Sequence, residues 1–352
     1  MKNYIEKLTP QLQEYFKILS PQGIPKFLNS YIEAPPMQKQ AKISTTCGTF
    51  YSKMFHNKFW YSSLDHSIGV ALIIWNFTKD KKQTLAGLFH DIATPAFKHT
   101  IDYMEGDYEK QEATEELTSQ MISSSPEIRK QLAEDRIELA EIEDYHIYPI
   151  ADNDTPQLSS DRLEYTLANG LGACMSLWDL EEVKRMYQDI EIQTNEEKIV
   201  ELGFKSKEKA EKFVKGMRKL SNEYIENKTK FSMQFLADIM KVMEKEKLIT
   251  KKDLYHLTEA QIIEKIENCS INNIAKNFAI WKNATKIKES DTKTKGKYYV
   301  SINNAKIRYI NPLVRQGSEF VRVSKISMVA KEEINKAKNF TTKKYAYLDF
   351  DF

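Results

Sequence analysis

Residues 85–102 read LAGLFHDIATPAFKHTID, and this stretch decides the fold. Five residues, Leu85 to Phe89, give a buried helical run that ends in His90-Asp91, and Pro95 stops the helix soon after. A neutral imidazole and a carboxylate side by side at the mouth of a packed helix suit a divalent cation. Two more candidate ligands stand at helix starts. His66 precedes His90 by 24 residues, and Asp161 follows Asp91 by 70.

Working outward, HSIGVALIIWNFT from His66 to about Thr78 is apolar almost all round, which predicts a buried helix. Ser62, three residues before Asp65, caps it in a capping-box variant. Residues 83–92 read as a second buried helix, and Phe97 to about Glu105 as a short third. Another helix starts at Ser159-Ser160-Asp161 and ends near Asn169-Gly170, where glycine suits a left-handed cap. Residues 1–60 read as short helices broken at Pro21, Pro25 and Pro35-Pro36. Residues 109–124 and 126–144 are charged, with sparse Leu and Ile at helical spacing, and predict surface helices. Tyr148 to Pro156 is a loop. From Leu177 to about Lys288 the pattern stays helical, with Thr250 and Thr258 as N-caps. Near Lys297 the period changes. Residues 298–302 and 307–310 read as strands around Asn303-Asn304, followed by strands at 320–326 and 345–350. The expected architecture is mostly α: a helical body over 1–288 whose metal-binding core spans about 37–180, and a small basic α+β appendage over 289–352 packed on it.

Bulk properties narrow the function classes. The 352 residues include 11 glycines and carry a net charge of +2, which names no partner. Cys47, Cys174 and Cys269 lie far apart with no CxxC pair, so a reducing cytoplasm is expected rather than a disulfide framework. No apolar run reaches the ~20 residues of a membrane span, so no membrane partner is expected. Charge is uneven: residues 101–160 carry 16 acidic and 4 basic side chains, residues 281–352 carry 16 basic and 7 acidic ones. The basic tail is either solvated surface or a face that meets phosphates. Nucleic acid is the less favoured partner. GxxxxGK[ST], GxGxxG and GxSxG signatures are absent.

His66, His90, Asp91 and Asp161 supply two imidazoles and two carboxylates. Such a set suits Mn, Fe, Ni, Co or Zn, and Mg less naturally. The pattern H…HD…D resembles the HD-domain metal-dependent phosphohydrolase superfamily. Three segments are similar to its dNTP triphosphohydrolase branch, which includes bacterial dGTPases and the vertebrate SAM-and-HD-domain enzyme: Leu64-Asp65-His66-Ser67, the run from His90 to Asp102, and Asp161-Arg162-Leu163-Glu164-Tyr165. The segments KIRYINPLV and KKYAYLDF resemble bacterial members. The resemblance implies an HD-domain helical core with a divalent metal on His66, His90, Asp91 and Asp161. It implies a catalytic pair, His99 oriented by Asp102, and substrate contacts from Arg162, Tyr165 and Asn169. It also implies a nucleotide substrate, attack at the α-phosphorus and a homo-oligomer.

The chain departs from the branch pattern at Ser63, Thr94, Gln111 and Asn169, where the branch has Arg, His, His and Asp. Two alternatives therefore stand beside the dNTP triphosphohydrolase expectation. One is a nucleotide monophosphatase or signalling-nucleotide hydrolase. The other is a catalytically silent nucleotide sensor. An HD-type di-iron oxygenase would need extra His ligands, for which only His99 and His146 are candidates. His56 and His146 read as surface loop residues and His256 as structural. The cluster Tyr51, Phe55, Phe59, Trp60 and Tyr61 reads as core packing.

Overall fold

The apolar run after Ser62 folds as the helix Ser63–Thr78 in the computed structural model, which describes residues 3–106, 117–271, 273–293 and 295–352. Its capping box is complete. Asp65 N donates to Ser62 Oγ at 3.0 Å, and Ser62 N donates to Asp65 Oδ2 at 2.9 Å. Every residue from Ser63 to Ile74 is buried, because the helices Pro10–Leu19, Lys81–Phe89 and Ser160–Ala168 pack around this one. Asp80 caps Lys81–Phe89, its Oδ1 accepting from Lys82 N at 2.8 Å, and His90 falls at the helix end. Ser159 caps Ser160–Ala168, its Oγ accepting from Arg162 N at 3.2 Å. The two histidines and Asp161 are thus all set at helix termini, as expected.

The architecture is mostly helical, with small sheets drawing largely on the C-terminal part. The described strands are β1 (Ile190–Thr194), β2 (Val200–Phe204), β3 (Lys288–Ser290), β4 (Tyr299–Val300), β5 (Leu313–Gln316), β6 (Glu319–Arg322) and β7 (Tyr345–Tyr347). One sheet has the order β1-β2-β5-β6, antiparallel except for the parallel pair of β2 and β5, where Phe204 faces Val314. The other has β7 between β3 and β4.

Several local expectations are corrected. Residues 190–204 form a β-hairpin inside the stretch expected to be helical. Residues 307–310 are not a strand, and 323–326 turn helical after β6. The helix expected over 126–144 ends at Asp135, where Arg136 takes a left-handed φ of 55°. Gly170 does not end its helix. The chain continues through a π-turn, Asn169–Ala173, and Gly172 takes the positive φ of 143°. Gly170 instead lies flush on Trp178, where a Cβ would sit 2.4 Å from the indole. Of the helix expected over 109–124, Thr118–Ser124 is seen, while 107–116, and with them Gln111, lie outside the described residues.

Two apolar cores result. One gathers the helices around Ser63–Thr78 together with β2 and part of β5. The other gathers Ile43, Met54, Phe97, Ile101, the helix Asn227–Lys245, residues 249–281 and the β4/β7 sheet. The chain passes from the first core to the second between Ile92 and Phe97, directly after His90-Asp91.

Candidate metal centre

His66 lies on the first turn of its helix and is buried, with both ring nitrogens engaged. Nδ1 is 2.5 Å from Glu164 Oε2, and Nε2 is 3.0 Å from Asp161 Oδ1. Glu164 is fully buried and also accepts from Tyr15 Oη at 2.9 Å and Tyr61 Oη at 2.5 Å. Three partners therefore fix this carboxylate, and it fixes the imidazole. Gly69 makes the approach feasible, since a Cβ there would stand 2.6 Å from Glu164 Oε1. The His90 ring is oriented by its own helix, Nδ1 lying 2.8 Å from Gly87 O. Tyr145 lies against its face, with ring centroids 4.9 Å apart.

Both histidines therefore present Nε2 to one point. The two Nε2 atoms are 3.2 Å apart, and Asp161 Oδ1 lies 3.0 and 3.8 Å from them. Ligand atoms ~2.1 Å from a common ion stand ~3.0–3.4 Å apart at octahedral to tetrahedral angles. The three atoms fit that spacing. Electrostatics agree. Burial alone would lower the His66 pKa, but Asp161 and Glu164 override it and raise it to about 10. Carboxylates that hold a proton so firmly attract a cation equally well. Burial lowers the His90 pKa, which favours the neutral, metal-ligating form. Among the described residues, His66, His90 and Asp161 are the group with convergent ligand atoms.

Asp91 stands beside that group rather than within it. Its Oδ2 is 3.8 Å from His90 Nε2, accepts from Ser63 Oγ at 3.1 Å and is ion-paired with Lys98 Nζ. Burial would raise the Asp91 pKa; Lys98 and the two imidazoles outweigh it and hold the carboxyl well below its usual range. Lys98 reaches inward because the backbone turns through two left-handed residues, Phe97 at φ 63° and Lys98 at φ 44°. Non-glycine residues adopt that region at a cost and concentrate near functional sites when they do.

The other expected site residues line the same cavity of ≈ 930 Å³. His99 Nδ1 is 3.0 Å from Asp102 Oδ2, which leaves Nε2 as its second functional atom. Burial lowers the His99 pKa, and the positive charges of Arg308 and Lys98 push the same way. Arg162 is committed to the loop before its helix. Nη1 is 2.6 Å from Asn153 Oδ1 and 3.2 Å from Asp152 Oδ1. Tyr165 is pushed up to about 12 by burial. Asn169 Nδ2 donates to Tyr224 Oη at 2.8 Å. His56 is exposed, and His146 sits at the rim, paired with Asp144 and Asp152. The residues that sequence reasoning missed are Glu164, Lys98 and Arg308. Glu164 had a signal, three residues after Asp161 and so on the same helix face. Lys98 had none, because its inward path depends on the left-handed turn.

A protein-family model described as the HD domain matches residues 63–202. The chain is 28% identical over 142 residues to an uncharacterized protein, YdhJ, of Bacillus subtilis (strain 168). That match spans 40% of this chain and 42% of YdhJ, less than half the length of the curated relative. Among solved structures it resembles a phosphohydrolase from Bacteroides thetaiotaomicron VPI-5482, with a TM-score of 0.63 at 12% identity over 93% of this chain and 97% of that one. It also resembles a hypothetical protein from Aquifex aeolicus, with a TM-score of 0.53 at 17% identity over 93% of each chain. These likenesses extend the shared fold beyond the HD domain to nearly the whole chain. Among the described residues, no helix is long and apolar enough to cross a membrane.

Proposed function

We propose, for a chain whose residues 63–202 form the HD domain of a metal-dependent hydrolase, that the reaction is hydrolysis of a nucleotide phosphoester, with a dNTP-triphosphohydrolase-like cleavage as the leading form. The observation that carries this reading is the convergence of His66 Nε2, His90 Nε2 and Asp161 Oδ1 in a cavity of ≈ 930 Å³. That volume suits a nucleoside triphosphate, since ligand sites run ~300–1,000 Å³.

His66, His90 and Asp161 would hold the ion, with Asp91 as the fourth donor once its carboxylate is shared with Lys98. The borderline imidazole and hard carboxylate donors suit Mn, Fe, Co, Ni or Zn. A divalent ion so held polarises a phosphoryl oxygen and acidifies water. The protein supplies the remainder. Glu164 fixes the His66 ring, and Gly87 O fixes that of His90. Lys98 and Arg308 place positive charge where negative charge spreads over phosphoryl oxygens. His99, held through Nδ1 by Asp102, presents Nε2 to the leaving oxygen. In the balanced step a water oxygen bonds to phosphorus, the ester P–O bond breaks, and a proton passes to the departing oxygen. Because burial favours neutral His99, its proton would be acquired with the anionic substrate, whose charge raises the pKa.

Phosphate release from dNTPs, NTPs, NMPs and cyclic dinucleotides with Mn²⁺, resolved by ³¹P NMR, tests the reading against Asp161→Ala. Inorganic triphosphate released by wild type and lost in the variant is the expected result. Orthophosphate instead moves the protein to the monophosphatase class. Metal and nucleotide binding without turnover would make it a sensor and overturn the hydrolase reading.

A further inference from the structure

Residues 301–312 link β4 of one sheet to β5 of the other without forming a strand or helix. Both ends are pinned. Ile302 and Ile310 are buried, Ile302 O accepts from Lys230 Nζ at 2.9 Å, and Asn311 N donates to Pro156 O at 2.8 Å. Between the pins, Ala305, Lys306, Arg308 and Tyr309 line the cavity that holds His66, His90 and Asp161. The guanidinium of Arg308 lies 6.0 Å from the centroid of the Tyr224 ring, whose hydroxyl accepts from Asn169. Its charge is also felt at His99 and Tyr165, so it sits among the residues assigned above to the leaving group and substrate.

The charges around the cavity give this segment a role. The cations contributed by residues 63–202 are tied to carboxylates, Lys98 to Asp91 and Arg162 to Asp152. Two of the acidic wall residues are also paired, Asp152 with Arg162 and Glu223 with Lys228 at 2.7 Å. Lys306 and Arg308 add two positive charges to this largely neutralised wall, from outside the HD domain. One phosphate at the metal centre needs a metal and few cations. A chain of phosphates carries several negative charges and needs further cations along its length.

We propose that the 301–312 strap is a phosphate-chain clamp, with Arg308 and Lys306 binding the outer phosphates of a nucleoside polyphosphate whose ester is cleaved at the metal centre. The proposal rests on the hydrolase reading for the cleaved bond, while the clamp itself is a binding site. It makes the C-terminal segment the part of the molecule that selects polyphosphates over monophosphates.

The test is titration calorimetry on the full-length protein with Mn²⁺, using inorganic tripolyphosphate and orthophosphate as probes. Arg308→Ala is expected to weaken tripolyphosphate binding by about tenfold or more, the scale of one charged hydrogen bond. Orthophosphate binding should change by less than about threefold, as for a distant exposed charge. Lys306→Ala, whose side chain is exposed and cannot disturb the fold, should act in the same direction. Arg308→Lys should recover part of the loss. Lys130→Ala, on the exposed face of Pro126–Asp135, should change neither probe. Unaltered tripolyphosphate binding in both Arg308→Ala and Lys306→Ala overturns the clamp, as does equal loss for both probes or no tripolyphosphate binding by wild type. Clamp-dependent binding without hydrolysis of any phosphoester would keep the clamp and overturn the hydrolase reading. Hydrolysis with variant-insensitive binding would do the reverse.

Discussion

At the scale of single residues, the centre depends on a carboxylate that need not touch the metal. Glu164 ties the His66 ring to Tyr15 and Tyr61, so its loss should free the ring without removing a ligand. Glu164→Gln should weaken Mn²⁺ binding by about 10- to 100-fold, measured by titration calorimetry. Binding equal to wild type would show that His66 is oriented by packing alone. Gly69→Ala approaches the same carboxylate from behind. Its methyl meets Glu164 at 2.6 Å in a packed interior and should cost about 1–3 kcal/mol in chemical denaturation. A second buried carboxyl behaves differently. Glu259 accepts from Ser44 N at 3.1 Å, with Lys39 and Tyr51 facing it, and burial pushes its pKa up from 4.5 to about 8. Below pH 4.5 it is neutral in both folded and unfolded chains. Between about 4.5 and 8 only the unfolded chain releases the proton, so this group costs stability progressively as pH rises, and the cost levels off above 8. Lys39, lowered to about 7 by burial, titrates in the opposite sense in both wild type and variant. Glu259→Gln should therefore leave stability near wild type at pH 5 and raise it by roughly a few kcal/mol at pH 8, measured by urea denaturation. An equal effect at both pH values would place the ionisation elsewhere.

At the scale of elements, the small sheet is held by a buried charge pair. Arg322, at the end of β6, reaches Glu201 on β2 with Nη1 at 2.7 Å and Nη2 at 2.9 Å, and it also meets Glu196 in the hairpin turn. Glu201 is fully buried, so Arg322→Ala leaves an uncompensated charge and should cost about 3–5 kcal/mol. The Arg322→Ala/Glu201→Leu pair should recover much of that loss in thermal melts, and no recovery would mean that the sheet depends on Glu196 instead. This sheet is also where sequence reading failed. Ile190 to Thr194 and Val200 to Phe204 are five residues each, joined by a turn without glycine. Runs that short, flanked by long amphipathic helices, leave the period undecided, and the pairing of β2 with β5, over a hundred residues away, decides it. By contrast, helix caps are local. Ser62, Ser159, Thr250 and Thr258 all cap where the sequence placed them. The same contrast runs through the site. His66, His90 and Asp161 were legible because each occupies a helix end fixed by nearby residues. The ion pair that sets Asp91 apart depends on a non-local turn at Phe97 and Lys98, and no periodicity encodes it.

At the scale of the whole molecule, the cavity lies where the two cores meet. The convergent donors His66, His90 and Asp161 all belong to elements of the first core. His99, Asp102, Tyr103 and Met233 face the cavity or support it from the second, and the strap closes it between the sheets. Metal and nucleotide should therefore stabilise different parts. Mn²⁺ at 100 times its dissociation constant adds about 2.7 kcal/mol to the folded state. That gain should appear in hydrogen exchange as slower opening of 63–92 and 160–168, the elements bearing the donors. A nucleotide spans both cores, so its addition should extend protection to 99–106, 223–233 and 301–312, where metal alone leaves exchange nearly unchanged. The direction of the argument is physical: a ligand slows only those opening motions that break its own contacts. Uniform protection by Mn²⁺ alone would mean that the two cores open as one unit. Protection by nucleotide confined to the first core would place the substrate away from His99 and the strap, against the assignment made here.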